Sequence, residues 1–435
     1  MSGASAIPAD PSPEAAYPQP RHAWRVVAVL LALAILSYTD RYVLSLLVGP
    51  IRQELNISDL QIGLLLGTAF AIVYGLFGVI AGFVADRANR RNLIILGVIV
   101  WSLATIASGL APTFEGIFTA RMVVGLGEAI LTPAAISMIG DYFPPNRRGS
   151  AVGVYMVGVP LGSGIAAIVG GAVLSMIESG MLSSVVAFAG APWRAVLIVL
   201  GAPGLVLVWL MLLVREPIRQ ADGTPADADP SVPAQTLQLS WVSIAPILIG
   251  SAGMSLAIAC LIAWGPSVLI RSFAMAPADV GFAVGIAFAI GGASGVVLGG
   301  IVGDRARSRY GARARVWICI LGTVLALPCT MFGLSQSVPL ALLGMGLFIM
   351  FADWTISCAI AAILDNTPNR SRGLVTAMAF FLNVAFGAGL GPVLVALINI
   401  RTANADDMLG FSIFLASMPV LLFALAAFIV AARRK

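Results

Sequence analysis

Residues 82–91 read GFVADRANRR, and 218 positions later residues 300–309 read GIVGDRARSR. Each copy closes a long apolar run with an Asp and a burst of Arg. A second pair agrees: DYFPPNRRG at 141–149 returns as DNTPNRSRG at 365–373, 224 positions on. Two polar loops repeated at nearly one offset make the chain two similar halves, the pattern of a duplicated membrane bundle.

Composition points the same way. Apolar residues are 59% of the 435 and charged residues 10%, and mean hydropathy is +0.98. Soluble domains carry about a quarter charged residues. Runs of about 20 apolar residues, enough to cross some 30 Å of hydrocarbon, number twelve: 24–49, 60–85, 92–111, 117–140, 149–175, 193–214, 241–270, 279–302, 315–334, 338–364, 373–398 and 408–432. The expected fold class is an all-α multi-pass membrane protein of twelve helices in two six-helix bundles.

Basic residues set the orientation. With the N-terminus in the cytoplasm, 19 of the 25 Lys and Arg fall on cytoplasmic segments; Arg52, Arg194, Arg271 and Arg401 lie outside, and Arg41 and Arg121 within helices. Both termini are expected in the cytoplasm of a cell (inner) membrane. The net charge of +5 then reflects topology, and no nucleic-acid partner is implied. Expected segments are a cytoplasmic tail at 1–22, an N-terminal bundle at 23–214, a Pro- and Asp-rich cytoplasmic linker at 215–240, a C-terminal bundle at 241–432 and a tail at 433–435. No cleaved signal peptide is read in the N-terminal tail. Cys260, Cys319, Cys329 and Cys358 all fall within expected helices, so no disulfide framework is implied. The single His22 lies in the tail, which leaves no histidine for a metal site or proton relay.

Charges at bilayer depth are expensive and mark candidate sites. Asp40 and Arg41 in helix 1 sit about 12–14 Å from its outer end, and Glu128 in helix 4 about 16 Å in, at 1.5 Å per residue. Arg121 and Glu128 are two turns apart on one face, and Gly125 and Gly127 thin that face. These four are the proton-coupling candidates, Glu128 first and Asp40 second, with Arg121 and Arg41 tuning them or holding an anionic group through the planar guanidinium fork. A structural ion-pair network joining helices 1 and 4 is the plainer alternative. In the second half Asp353, beside Trp354, is the one mid-membrane charge, and Asn383 is polar but neutral. One charged wall facing a nearly apolar one suits an amphipathic ligand. The substrate-binding candidates are therefore Arg41, Arg121, Glu128, Tyr38, Tyr42, Trp264, Asp353, Trp354 and Asn383, with Tyr74, Tyr155 and Phe386 as further aromatics.

The duplicated loops read as a cytoplasmic latch. Gly82 gives room where helix 2 nears the other half, Asp86 suits the positive end of a helix there, and Arg87 and Arg91 add ion pairs. Gly300, Asp304, Arg305 and Arg309 repeat the set, and Asp141, Arg148, Asp365 and Arg372 come from the second loop pair. Gating candidates end there.

GFVADRANRR resembles the helix 2–3 signature of the major facilitator superfamily, G-x-x-x-D-R/K-x-G-R-R/K, with Asn89 where the pattern has Gly. RMVVGLGEA at 121–129 resembles the family's helix 4 motif, whose Arg is associated with proton coupling. SYTDRYVLSLL at 37–47 together with GLGEA is similar to the Spinster-like family, bacterial branch. The resemblance implies the major facilitator fold and a lipid-related substrate such as a lysophospholipid or sphingoid phosphate; related organic-anion transporters keep a carboxylate or sugar phosphate open.

The expected function is secondary transport by rocker-switch alternating access. The chain carries no P-loop for ATP, so a proton gradient is the expected energy source and no cofactor is expected; uncoupled facilitation is the alternative. A membrane enzyme lacks a nucleophile with its base or a set of metal ligands, and a receptor lacks an output domain. The expected partners are the bilayer and a small-molecule or lipid substrate, with one chain as the working unit.

Overall fold

In the computed structural model the described residues are 17–85, 87–219, 234–311, 313–367, 372–402 and 408–433. Twelve helices among them are long and apolar enough to cross a membrane. They are α1 Pro20–Leu46, α2 Asp59–Gly78, α3 Arg90–Leu110, α4 Phe114–Tyr142, α5 Arg147–Glu178 and α6 Pro192–Leu212 in the first half, and α7 Val242–Phe273, α8 Pro277–Tyr310, α9 Ala314–Leu334, α10 Val338–Asp365, α11 Met378–Arg401 and α12 Leu409–Arg433 in the second. Every expected span coincides with one of them, and the helical path of α2 runs on to Ala85.

Local chemistry sets the ends. The Ser58 hydroxyl accepts from the Gln61 amide while the Gln61 side chain accepts from the Ser58 amide, a capping box that starts α2. Asn89, the residue that departs from the family pattern, caps α3 by accepting from the Asn92 amide at 2.9 Å. Thr113 caps α4, and prolines open α5, α6, α8 and α10 at positions that need no amide hydrogen. Two expectations shift. The expected loop at 303–314 is helical through Tyr310, so Asp304, Arg305 and Arg309 ride on α8. His22, placed in a tail by sequence, stands in the first turn of α1 with its ring 5.8 Å from Tyr142. The four cysteines are free.

The apolar core has three parts. One, running from Ala23 to Val214, lies wholly in the first half. Another, from Ile244 to Ala432, lies wholly in the second. A third draws on both halves, with Leu47, Ile62 and Leu174 packed in one cluster with Leu261, Val284 and Val395. The halves therefore share one core at the end holding the α1–α2 and α7–α8 turns, and keep separate cores at the end holding the duplicated loops. We call these the closed and open ends.

Small residues make the closed end tight. A Cβ on Gly164 of α5 would stand 2.6 Å from the Ala289 Cβ of α8, one on Gly171 would stand 2.8 Å from the Ala278 carbonyl, and one on Gly63 of α2 would stand 2.9 Å from the Pro392 carbonyl of α11. Close backbone approach of this kind is how helices associate in lipid. Both α2 and α11 carry a π turn there, at Leu64–Thr68 and Asn383–Ala388, and the Thr68 hydroxyl donates across the halves to the Gly389 carbonyl at 2.8 Å. At Gly82 and Gly300, near the open end, an added Cβ would meet nothing within 4 Å.

Candidate functional site: a central cavity backed by a buried charge cluster

A cavity of about 200 Å³ lies between the halves. Tyr38, Arg41, Tyr42 and Ser45 of α1 and Ser163 of α5 form the polar part of one wall. The facing wall comes from α7, α10 and α11, where Ser255, Asp353 and Asn383 are set among Ile258, Ile262, Ile349, Ile356 and Phe380. Of the nine expected binding residues, Tyr38, Arg41, Tyr42, Asp353 and Asn383 line it.

Arg41 is the cavity's guanidinium. Its Nη2 donates to Glu128 Oε2 at 2.7 Å, and the Ser37 hydroxyl donates to the same oxygen at 2.7 Å. Its Cζ lies 4.5 Å from the Tyr38 ring centre, 4.1 Å from Phe70 and 4.9 Å from Tyr74, an aromatic cage that holds the cation by its ring faces. The meeting of helices 1 and 4 expected from depth is thus an ion pair. A Cβ on Gly125 would stand 2.7 Å from the Phe70 carbonyl and one on Gly127 2.7 Å from the Gly97 carbonyl, so these glycines bring α4 onto α2 and α3.

The other charges stand behind this wall. Asp40 is 0% exposed, and Arg121 and Glu128 are 1% each. Arg121 donates to two backbone carbonyls of α1, those of Asp40 at 3.1 Å and Arg41 at 3.3 Å, and so clamps the helix where the pair sits. Asp40 Oδ2 accepts from the Thr105 hydroxyl at 3.3 Å. Among the described residues Asp40 Oδ1 and Glu128 Oε1 have no donor. Buried carboxylate oxygens are normally satisfied, so these two stand out in the cluster.

Four expected binding residues sit elsewhere. Arg121 and Glu128 are buried behind α1 and reach the cavity only through Arg41. Trp264 is 0% exposed and donates its indole N–H to the Pro392 carbonyl of α11 at 2.9 Å, a wall-to-wall tie within the second half. Trp354 turns the other way from Asp353, its neighbour in sequence: its indole lies against Gly322 of α9, while its backbone meets Gly299 of α8. Successive helical residues point about 100° apart, which separates the pair. Of the further aromatics, Tyr155 bonds Thr132, and Phe386 faces an apolar cleft against α7 and α12.

The expected gating residues fall into two clusters, each within one half. In the first, Arg90 donates to Asp141 and, at 2.8 Å, to Glu216, and Arg91 Nη1 reaches the Val214 carbonyl at 3.3 Å. Arg87 stacks 3.6 Å over Phe83, and Arg148 donates to the Phe143 carbonyl at 3.0 Å. In the second, Arg315 donates to Asp304 and Asp365 at 2.6 Å each, and Arg307 reaches Asp365 at 3.0 Å. Arg305 and Arg309 are exposed. Asp86, and the side chain of Arg372, lie outside the described residues. Sequence reasoning missed Arg90 and Arg315; the signal was the repeat of Asp141 at Asp365, since duplicated acids call for duplicated cations.

It also missed the polar tie at the closed end. Asp59, 4% exposed at the head of α2, accepts from Arg271 of α7 at 3.2 Å and from Asn399 of α11 at 3.0 Å, and lies 3.4 Å from Arg52. Glu54 pairs with Arg194 at 2.8 Å nearby. One carboxylate thus binds the two halves where their shared core ends.

The description Major Facilitator Superfamily belongs to the family model that matches residues 30–392. The chain belongs to the major facilitator superfamily. Within it the chain is 29% identical over 390 residues to the MFS-type efflux pump of Mycolicibacterium smegmatis, covering 89% of this chain and 87% of that one. It is 27% identical over 394 residues to Protein spinster of Drosophila melanogaster, covering 87% of this chain and 62% of the fly protein. Its fold matches a crystal structure of a bacterial homolog to the human lysosomal transporter Spinster, inward-facing and unoccupied, with a TM-score of 0.81 at 24% identity over 96% of this chain and 98% of that one. Within the superfamily the chain is similar to Spinster-like transporters, the resemblance that the helix 1 and helix 4 motifs carried.

Proposed function

We propose that this transporter moves an anionic, amphipathic substrate, of the lysophospholipid or sphingoid-phosphate kind, by alternating access coupled to protons. The observation that carries the reading is Arg41: a cavity-lining guanidinium held between three aromatic rings and paired on its far side with Glu128. A phosphate or carboxylate entering the cavity competes with Glu128 for that fork. A proton arriving on Glu128 removes its charge and releases Arg41 to the substrate; departure of the substrate returns Arg41 to the carboxylate and the proton to solvent. Asp40 is the second stop for the proton, and Arg121 holds the α1 backbone so that Arg41 keeps its aim. The isoleucines and Phe380 of the facing wall receive the apolar part of the substrate.

The basic loops orient the chain, with the open end in the cytoplasm, both termini there, and the membrane the inner one of a bacterial cell. The conformation is then inward-open, sealed outside by the shared core and by Asp59 with Arg271 and Asn399. Reversal parts that seal and brings the duplicated loops together as the cytoplasmic latch, with one chain as the working unit.

Flux of a lysophospholipid and of a short-chain organic anion into proteoliposomes separates the substrate classes. Lipid flux that the small anion fails to inhibit supports the reading. Flux of the small anion alone replaces the lipid with a small organic anion or sugar phosphate, which Arg41 serves equally well.

A further inference from the structure

At the open end a second cavity, of about 760 Å³, opens between the first turn of α1, the end of α4 and the segment after α6. Arg21, Arg25 and Arg215 line it together with His22 and Tyr142. Arg21 and Arg25 are four residues apart, so they share one face of α1. All three arginines are exposed, and no described residue pairs with their guanidinium groups. The one acid in the lining, Glu216, is occupied: Oε1 accepts from Arg90 Nε at 2.8 Å and Oε2 from the Arg91 amide at 2.9 Å. Among the described residues the cavity therefore holds three cations without an acid partner, unlike Arg90 and Arg315 at the same end, which are each shared between two acids.

Apolar surface flanks these charges. Trp24 stays 38% exposed while packing edge-on against Phe143 at 5.2 Å, and Ile218 in the lining is 85% exposed. Aromatic and basic residues together at helix ends are the composition of a membrane–water interface.

We propose that this cavity binds the phosphate headgroup of an anionic phospholipid from the leaflet that meets the basic loops. Arginine forks bind phosphate oxygens two at a time, and basic pockets between helices at this depth suit anionic headgroups. Inorganic phosphate has the same oxyanion chemistry; the exposed apolar surface of Trp24 and Ile218 beside the arginines favours the lipid. The site is separate from the central cavity and does not depend on what is transported. It touches the expected gate through three bonds: Glu216 accepts from Arg90 and from the Arg91 amide at the start of α3, and the Tyr142 hydroxyl donates to the Arg215 carbonyl.

The test is native mass spectrometry of the full-length protein with phosphatidylglycerol against phosphatidylcholine of the same chains. The variants are Arg21→Gln/Arg25→Gln/Arg215→Gln and a control with the same charge loss elsewhere, Arg147→Gln/Arg313→Gln/Arg433→Gln. The expected result is a preference for phosphatidylglycerol that falls at least tenfold in the first variant, persists in the control, and withstands millimolar inorganic phosphate. No preference in the wild type, or equal loss in both variants, overturns the site. Displacement of the lipid by millimolar phosphate overturns the lipid as occupant. Should the triple variant fail to fold, Arg215→Gln alone, exposed and outside any helix, is expected to weaken binding severalfold, and an unchanged affinity overturns the proposal.

Discussion

Asp59 of α2 and Arg271 of α7 lie 3.2 Å apart across the two halves, though 212 positions separate them in the chain. The Asp59 carboxylate also takes a hydrogen bond from Asn399 of α11, so one acid holds two helices of the opposite half. Removing one partner of a buried, hydrogen-bonded charge pair costs about 3–5 kcal/mol; the pair here is edged by the half-exposed Arg52 and belongs at the lower end of that range.

Asp59→Asn is therefore expected to move the population toward the state opened at this end. Spin labels on Met181 and Ser272, one in each half near the closed end, measured by double electron–electron resonance, would show a longer distance component in the variant. An unchanged distribution would assign sealing to the shared apolar core alone.

The glycines give a paired prediction. A Cβ on Gly67 would collide with the Ala388 carbonyl at the closed end, whereas one on Gly82 has open space around it in this state. Gly67→Ala should wedge the closed end and lower thermal stability of this form, since overpacking a tight contact costs about 1–3 kcal/mol. Gly82→Leu should leave that stability alone yet slow transport if, as proposed, the latch closes onto this position in the other state. Full transport by Gly82→Leu would remove Gly82 from the latch.

Arg41→Lys keeps the charge and loses both the planar fork and stacking in the cage of Tyr38, Phe70 and Tyr74. Affinity for an anionic substrate should fall about tenfold, roughly 1.4 kcal/mol, with little change for a neutral analogue. Equal loss for both ligands in a binding titration would make Arg41 a structural cation.

Asp353 lines the cavity, half-buried, with no hydrogen-bond or ion-pair partner among the described residues. Asp353→Asn should leave the melting temperature unchanged or raise it, because no pairing energy is lost and an uncompensated charge is removed. Its effect should fall on substrate selection, as a change in the ratio of transport rates for ligands with and without a cationic group. A large loss of stability would reveal a structural partner instead.

Much of the fold was legible because lipid imposes simple rules: helices must be long, apolar and backbone-satisfied, and α1 to α12 announced themselves by length. The charge cluster was legible because Asp40, Arg41, Arg121 and Glu128 have no cheap place at that depth. Depth and helix spacing do not say which way a side chain turns, so Arg41 in the wall and Glu128 behind it looked equivalent, and Trp264 and Trp354 looked like lining. Asp59 was hidden for another reason. A polar residue at a helix start reads as a cap or a solvated loop, and its partners Arg271 and Asn399 are near it only after the halves pack. Asn89 looked like a defect in a motif and proves to be the cap of α3.

Proton-driven flux in proteoliposomes, wild type beside Glu128→Gln, tests the central claim that the Arg41–Glu128 pair couples proton to substrate. The account predicts that an imposed proton gradient accelerates lysophospholipid flux in the wild type, and that the variant, with the pair permanently neutral on its acidic side, loses the response while still binding substrate. A variant that responds to the gradient as the wild type does would contradict it.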